Sequence, residues 1–240
     1  MNYKTLINKP KTERGRETLN NILSAAAQVF YEKGYYNSSI SDITKQAGVA
    51  AGTFYVYFDS KYDLYKFLLL QCSHLIRKNL TNVIKNCNNR YEVEKAGLQE
   101  WLKYIRQNQY MYHIIWESLY IDKQLFVDYY TTFSEAYIKG IDAAKAKGEI
   151  NPHIGSDVLA WSLMGASNFL GLKWGLFTDR PSDLDRVVED FMKILRGEAF
   201  CVRSEEEEKY DRPETFPIRI EVDFEDEEIA EGNHPKEEGV

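Results

Sequence analysis

Residues 38–64 read SSISDITKQAGVAAGTFYVYFDSKYDL, and the fold follows from how this stretch must turn. Ser38 or Ser39 can cap a helix. Asp42, three residues past Ser39, completes a capping-box pairing in which Asp stands in for the more usual Glu. Ile40, Ile43 and Ala47 then recur at helical spacing and give this short helix one apolar face. Gly48 follows where a left-handed residue ends a helix at low cost. Val49 is the apolar plug after the turn. A second helix is predicted from about Ala51 to Phe58, with Phe54 and Phe58 facing inward and Thr53, Tyr55, Val56 and Tyr57 left for other surfaces. Two short helices about a glycine turn form the helix-turn-helix pattern, whose second helix enters a DNA major groove.

The rest of the chain agrees with an all-helical protein. It has 240 residues, 44% of them hydrophobic, and six prolines. That is ample for a buried core and excludes global disorder. The net charge of −7 is unevenly spread. Residues 1–66 hold nine basic and six acidic side chains, residues 67–202 sixteen of each, and residues 203–240 five basic and fifteen acidic. The acidity is therefore a property of the tail. Within residues 1–16, Lys4, Lys9, Lys11, Arg14 and Arg16 oppose only Glu13, which predicts a flexible basic arm able to lie along phosphates or reach into a minor groove. Three cysteines without CxxC spacing give no zinc signal and suit reduced thiols, and the charged N-terminus lacks the apolar core of an export signal. A cytoplasmic protein is expected.

The run A-G-V-x-x-G-T-x-Y-x-Y-F-x-S-K-x-x-L from Ala47 to Leu64, preceded by Phe30, Gly34 and Tyr35, resembles the tetracycline-repressor (TetR) family. The resemblance is tight over about residues 18–66, one of architecture over about 70–200, and absent past 203. It implies an all-α homodimer with an N-terminal three-helix DNA-binding domain and a C-terminal helical ligand-binding and dimerisation domain. It also implies that a ligand releases the protein from palindromic, double-stranded operator DNA. Carried over by position, Ser39 would touch a phosphate, Thr53 and Val56 would approach base edges, Tyr55 and Tyr57 would bind phosphates or sugars, and Lys61 would pair with a phosphate. The chain departs from the family at Ala50, where Ser or Thr is usual, and at Ala51, often basic. Val49 to Phe58 contains no Lys or Arg, so it offers no guanine-reading fork. Attraction to phosphates must come from Lys61 and the basic arm.

The boundaries expected are a basic arm at 1–16, a DNA-binding domain at 17–66, a ligand-binding and dimerisation domain at 67–202, and an acidic tail at 203–240. Ser60 should cap a long linking helix with Leu64, Phe67, Leu68 and Leu75 inward. Further helical patterns cover about 91–108, 110–121, 123–148, 156–178 and 182–198. The twenty residues Val158 to Phe177 carry a single charge, Lys173. Their polar residues make them a buried helix of a soluble assembly rather than a membrane span.

Small residues Ser167, Gly171 and Gly175 form a line at spacing four, and Leu184, Val188, Phe191 and Leu195 recur at helical spacing. Both sets are expected at the dimer interface, by analogy with the family's four-helix pairing; the alternative is an intrachain core. Aromatic residues crowd the middle of the chain. Trp101, Tyr104, His113, Trp116, Tyr120, Tyr130, Phe133 and Tyr137 are the candidate lining of a site for a small hydrophobic or aromatic effector. Arg77, Lys78 and Arg106 are candidate partners for phosphates of an acyl-CoA.

His113 and Glu117 sit four apart, too few ligands for a metal and too little for an active site. No phosphate loop, nucleophile elbow or paired-carboxylate motif is present, so no cofactor, metal or catalytic residue is expected. The tail alternates Ile218, Ile220, Val222 and Phe224 with charged residues between acidic blocks, a strand pattern inside a segment whose composition favours disorder. The sequence reading is a ligand-responsive DNA-binding regulator, most simply a repressor. The alternatives are a ligand-independent activator or architectural protein and, remotely, an enzyme using His113 and Glu117.

Overall fold

The computed structural model describes residues 6–178 and 183–197. The acidic blocks and alternating segment of 203–240, and Lys4 in the arm, lie outside the described residues. Among the described residues the regular structure is all helical, with no strand.

Helix α1 (Glu13–Lys33) opens on Thr12, whose hydroxyl oxygen accepts the Gly15 N–H. It buries Leu19, Ile22, Ala26, Val29 and Phe30 along one face. Helix α2 (Ile40–Gln46) carries the capping box read from the sequence: Ser39 Oγ accepts the Asp42 N–H at 3.0 Å and Asp42 Oδ2 accepts the Ser39 N–H at 2.9 Å. Gly48 has φ +67°, a left-handed conformation that only glycine adopts without strain. Helix α3 (Ala51–Tyr55) is shorter than expected. The chain tightens after Tyr55, and the Tyr57 and Phe58 N–H groups both donate to the Phe54 carbonyl. That tightening turns Phe58, like Phe54, fully into the core with Ile22, Phe30 and Ile43. Each such side chain contributes roughly 1.5–3 kcal/mol on burial.

Ser60 caps the long α4 (Lys61–Ile84) by accepting the Asp63 N–H. Leu64, Phe67 and Leu68 face inward as expected, but Leu75 is largely exposed, because Cys72, Ser73 and Ile76 occupy the inner stripe of that turn. Helices α5 (Arg90–Gln107), α6 (Gln109–Ile121), α7 (Lys123–Ala146), α8 (Ser156–Gly171) and α9 (Leu184–Leu195) complete the fold. Helices α5 and α6 pack on α4, α7 on α6 and α8, α9 on α5, and α6 also meets α1.

The apolar segment from Val158 to Phe177 is α8 followed by a π-helical turn, Leu172–Leu176, with Ala160, Leu163, Met164, Gly171 and Gly175 buried. Among the described residues no helix is long and apolar enough to cross a membrane. Cys72 is buried, and burial pushes its thiol up to about 12, so it packs as a small apolar residue.

Candidate nucleic-acid interface and ligand cavity

The outer face of the helix-turn-helix is set by what α3 cannot bury. With Phe54 inward, Ala51, Gly52, Tyr55 and Val56 are exposed and Thr53 is half-exposed. Ala50 stands at the N-cap of α3 with no side chain to accept an amide, so this five-residue helix has no side-chain cap, and the Thr53 N–H bonds the Ala50 carbonyl. Ser39 lies at the exposed start of α2, its hydroxyl donating to Asp42 at 2.6 Å. The Asp42 carboxyl is held well below the usual carboxylate range, first by Lys33 at 2.7 Å and then by Ser39.

Tyr57 and Lys61 are placed otherwise than expected. The Tyr57 side chain is buried and its hydroxyl donates to the Gly15 carbonyl at 3.0 Å. The Lys61 ammonium donates to the carbonyls of Tyr35 and Ser38 at 2.6 and 2.7 Å, 4.2 Å from the centroid of the Tyr35 ring. Desolvation is the main cause of its lowered pKa. Two of its three protons therefore close the turn between α1 and α2.

Residues 6–16 of the arm are tied to the fold, which their composition does not imply. Ile7 is buried, and the Asn8 N–H donates to the Tyr57 carbonyl at 3.0 Å. Lys9 and Lys11 follow immediately and are exposed. The signal was the apolar pair Leu6–Ile7 ahead of the basic residues, which charge counting passes over.

A cavity of about 280 Å³ lies between α4, α5, α7, α8 and α9. It sits near the lower end of the range of roughly 300–1,000 Å³ common for small-molecule sites. Of the expected lining, Trp101, Tyr130, Phe133 and Tyr137 are in its wall. Tyr104, His113, Trp116 and Tyr120 are not among its lining residues. Tyr104 packs against the core, its hydroxyl pushed up to about 12, mainly by burial. Tyr120 is exposed, and the exposed His113 meets Tyr31 edge to face. Trp116 lies between Tyr112 and Phe126. The differences have two causes: α6, which carries His113, Trp116 and Tyr120, contributes no lining residue, and Tyr104 lies three positions from Trp101 on another face of α5.

The lining also includes groups outside the expected set, among them Arg90, Glu94 and Tyr129; Arg77 lines it too. Arg90 Nε bonds Glu94 Oε1 at 2.6 Å with both side chains nearly buried, and the Tyr137 hydroxyl donates to the other Glu94 oxygen. Burial and then Glu94 raise the Tyr137 pKa well above its usual value, which keeps that proton in place. Gly140 leaves the room: a Cβ there would stand 2.6 Å from Arg90 Nη1.

The small-residue line serves an intrachain contact. A Cβ on Gly171 would lie 3.0 Å from Trp101 Nε1 and one on Gly175 3.0 Å from Ile105 Cγ2, so both glycines admit α5. The Ser167 carbonyl accepts the Trp101 Nε1–H at 3.0 Å. Leu184 and Val188 are buried within the chain, Phe191 lines the cavity, and Leu195 alone of the expected interface set is exposed. The exposed apolar surface of these helices comprises Val158, Trp161 and Phe169 of α8 with Ile194 and Leu195 of α9.

Helix α6 touches both sites. Its Tyr112 hydroxyl donates to the carbonyl of Asn168, a lining residue, at 2.8 Å. One turn on, Glu117 Oε1 accepts the Tyr35 N–H at 2.6 Å, in the turn between α1 and α2. Gly34 permits this approach, since a Cβ there would stand 3.0 Å from the same oxygen. Tyr65 of α4 donates to the Ile114 carbonyl of α6 at 2.5 Å. Glu117 thus joins two parts of the fold and does not pair with His113. Among the described residues no cluster of three or more His, Cys, Asp or Glu side chains could hold a metal ion.

A helix-turn-helix with an outward second helix, joined to a helical body that encloses a cavity, defines a DNA-binding regulator with a separate small-molecule site. The family described as bacterial regulatory proteins, tetR family, matches residues 22–67. The HTH-type transcriptional activator FasR of Mycolicibacterium smegmatis is 23% identical over 189 residues, covering 78% of this chain and 84% of that protein. The fatty acid degradation regulator FadR from Bacillus halodurans superposes with a TM-score of 0.67 at 21% identity, over 78% of this chain and 96% of that one. FadR from Bacillus subtilis, solved in complex with stearoyl-CoA, gives 0.63 at 22% identity, over 74% and 97%. The match at residues 22–67 and the likeness to these regulators make the chain similar to the TetR family of transcriptional regulators.

Proposed function

We propose that this chain is a cytoplasmic repressor that binds a palindromic operator as a homodimer and leaves it when a hydrophobic effector fills the cavity. Residues 1–16 and 17–66 serve DNA binding, and residues 67–202 bind the effector and the second subunit. The observation that carries this reading is the double attachment of α6, to the cavity at Asn168 and to the turn between α1 and α2 through Glu117. An occupant that shifts Asn168 pulls on Tyr112, and the same helix moves the seat of the reading domain. Thr53, Tyr55 and Val56 face the bases and sugars, the exposed start of α2 at Ser39 meets phosphate, and Lys9 and Lys11 add the cations that α3 lacks. The solved likeness to a regulator holding stearoyl-CoA favours acyl derivatives among hydrophobic effectors.

Selection of duplexes from a random pool tests the DNA half: the recovered sites should have dyad symmetry. Titration of long-chain fatty acids and their coenzyme A thioesters against the selected duplex tests the ligand half. One member of the series should lower affinity about 5–150-fold, and the duplex should weaken that ligand by the same factor. Sites without symmetry would remove the palindrome. Unchanged affinity across the series would favour a ligand-independent DNA binder. Because a relative is an activator, transcription from a reporter carrying the selected site should be read as well, with repression the expected sign.

A further inference from the structure

The charges on the cavity wall do not cancel. Arg77, Arg90 and Glu94 line it. Arg90 and Glu94 are bonded to each other, and Tyr137 holds the remaining Glu94 oxygen. Arg77 stands outside this network: among the described residues no carboxylate is bonded to it. It shares the inward stripe of α4 with Leu80, Thr81 and Ile84, at helical spacing, so the half-buried guanidinium borders the same space as the aromatic walls. Tyr129 of α7 lines the same space, near enough to Arg77 that the guanidinium charge opposes the rise that burial gives its hydroxyl. A cation bordering an apolar space without a counter-charge is costly, and an anionic occupant would relieve that cost.

Resting on the effector-cavity reading above, we propose that Arg77 and the Tyr129 hydroxyl form an anion-binding pole, and that the effector is an amphiphile with an anionic group on an apolar body. The planar guanidinium offers paired N–H donors to a carboxylate or phosphate, and Tyr129 adds an O–H donor. The aromatic walls around Trp101, Tyr130 and Phe133 receive the apolar body. Because Arg77 sits on α4, which begins against the reading domain, the anion would act on the helix that enters that domain.

Calorimetric titration of the full chain with dodecanoate, dodecyl phosphate and dodecanol, all below micelle formation, separates the head group from the tail. The intact protein should bind one or both anions at least tenfold tighter than the alcohol, and whichever anion is favoured distinguishes a carboxylate from a phosphate effector. Arg77→Gln should lose at least tenfold for that anion and change less than twofold for dodecanol. Tyr129→Phe should lose a smaller factor in the same direction. Equal binding of alcohol and anions by the intact protein would overturn the anionic pole and leave the cavity reading standing. Binding of none of the three would overturn both. Should Arg77→Gln fail to fold, the head-group comparison on the intact protein still decides.

Discussion

Ala50 is the residue at which this domain is least supported. An extended N-cap with φ −67° and ψ 148° is the conformation in which Ser or Thr accepts an amide from the first turn, and alanine offers nothing. Ala50→Ser should therefore stabilise the protein by about 0.5–1 kcal/mol in urea denaturation. A midpoint that does not rise would show that the first turn of α3 has no unmet donor within reach. The neighbouring residues also show what the sequence makes legible. The Ser39–Asp42 box, the Gly48 turn and the Ser60 cap depend on residues within three or four positions of one another, and all three are in place. Tyr57 and Lys61 were assigned by position in a motif, while their partners Gly15 and Tyr35 lie 42 and 26 residues away. No local pattern encodes those contacts.

At the scale of the element, α6 matters more than its sequence suggests. It carries Tyr112 toward the cavity and Glu117 toward the turn ahead of α2, and Tyr65 of α4 bonds its backbone between them. Glu117→Ala leaves the Tyr35 amide without its acceptor, a loss of roughly 1–3 kcal/mol for a buried donor. Hydrogen exchange at Tyr35 should accelerate, and the factor by which an effector lowers operator affinity should fall toward one. Glu117→Gln keeps an acceptor oxygen and should preserve the coupling. If the alanine variant responds to the effector like the parent, the link does not run through this bond.

Helix α8 gives the matching lesson about legibility. Its small-residue line leaves room for another helix without specifying which, and α5 of the same chain is packed there. The cavity was similarly half legible. Aromatic density located its region, whereas Trp101 and Tyr104, three apart on α5, differ in whether they border it.

For the whole molecule, the consequence is an apolar surface that the described residues leave uncovered. Val158, Trp161 and Phe169 are 63%, 49% and 65% exposed on α8, and Ile194 on α9 is 53% exposed. Large apolar side chains left exposed in this way mark an interaction surface, and a two-fold axis through it would make it self-complementary. Phe169→Glu should give a monomer in sedimentation and reduce affinity for a symmetric duplex by at least about a hundredfold, because the second half-site is no longer reached intramolecularly. Intact dimers of that variant would move the subunit contact elsewhere.

One bond pair near the N-terminus has a further consequence. Tyr57 accepts from Asn8 through its backbone and donates to Gly15 through its side chain, so the basic segment, the start of α1 and the end of α3 turn together. If Lys9 and Lys11 meet DNA, they meet it in fixed phase with Tyr55 and Val56. Each half-site is then read as one rigid footprint, in which the flanking base pairs cannot drift relative to the central ones.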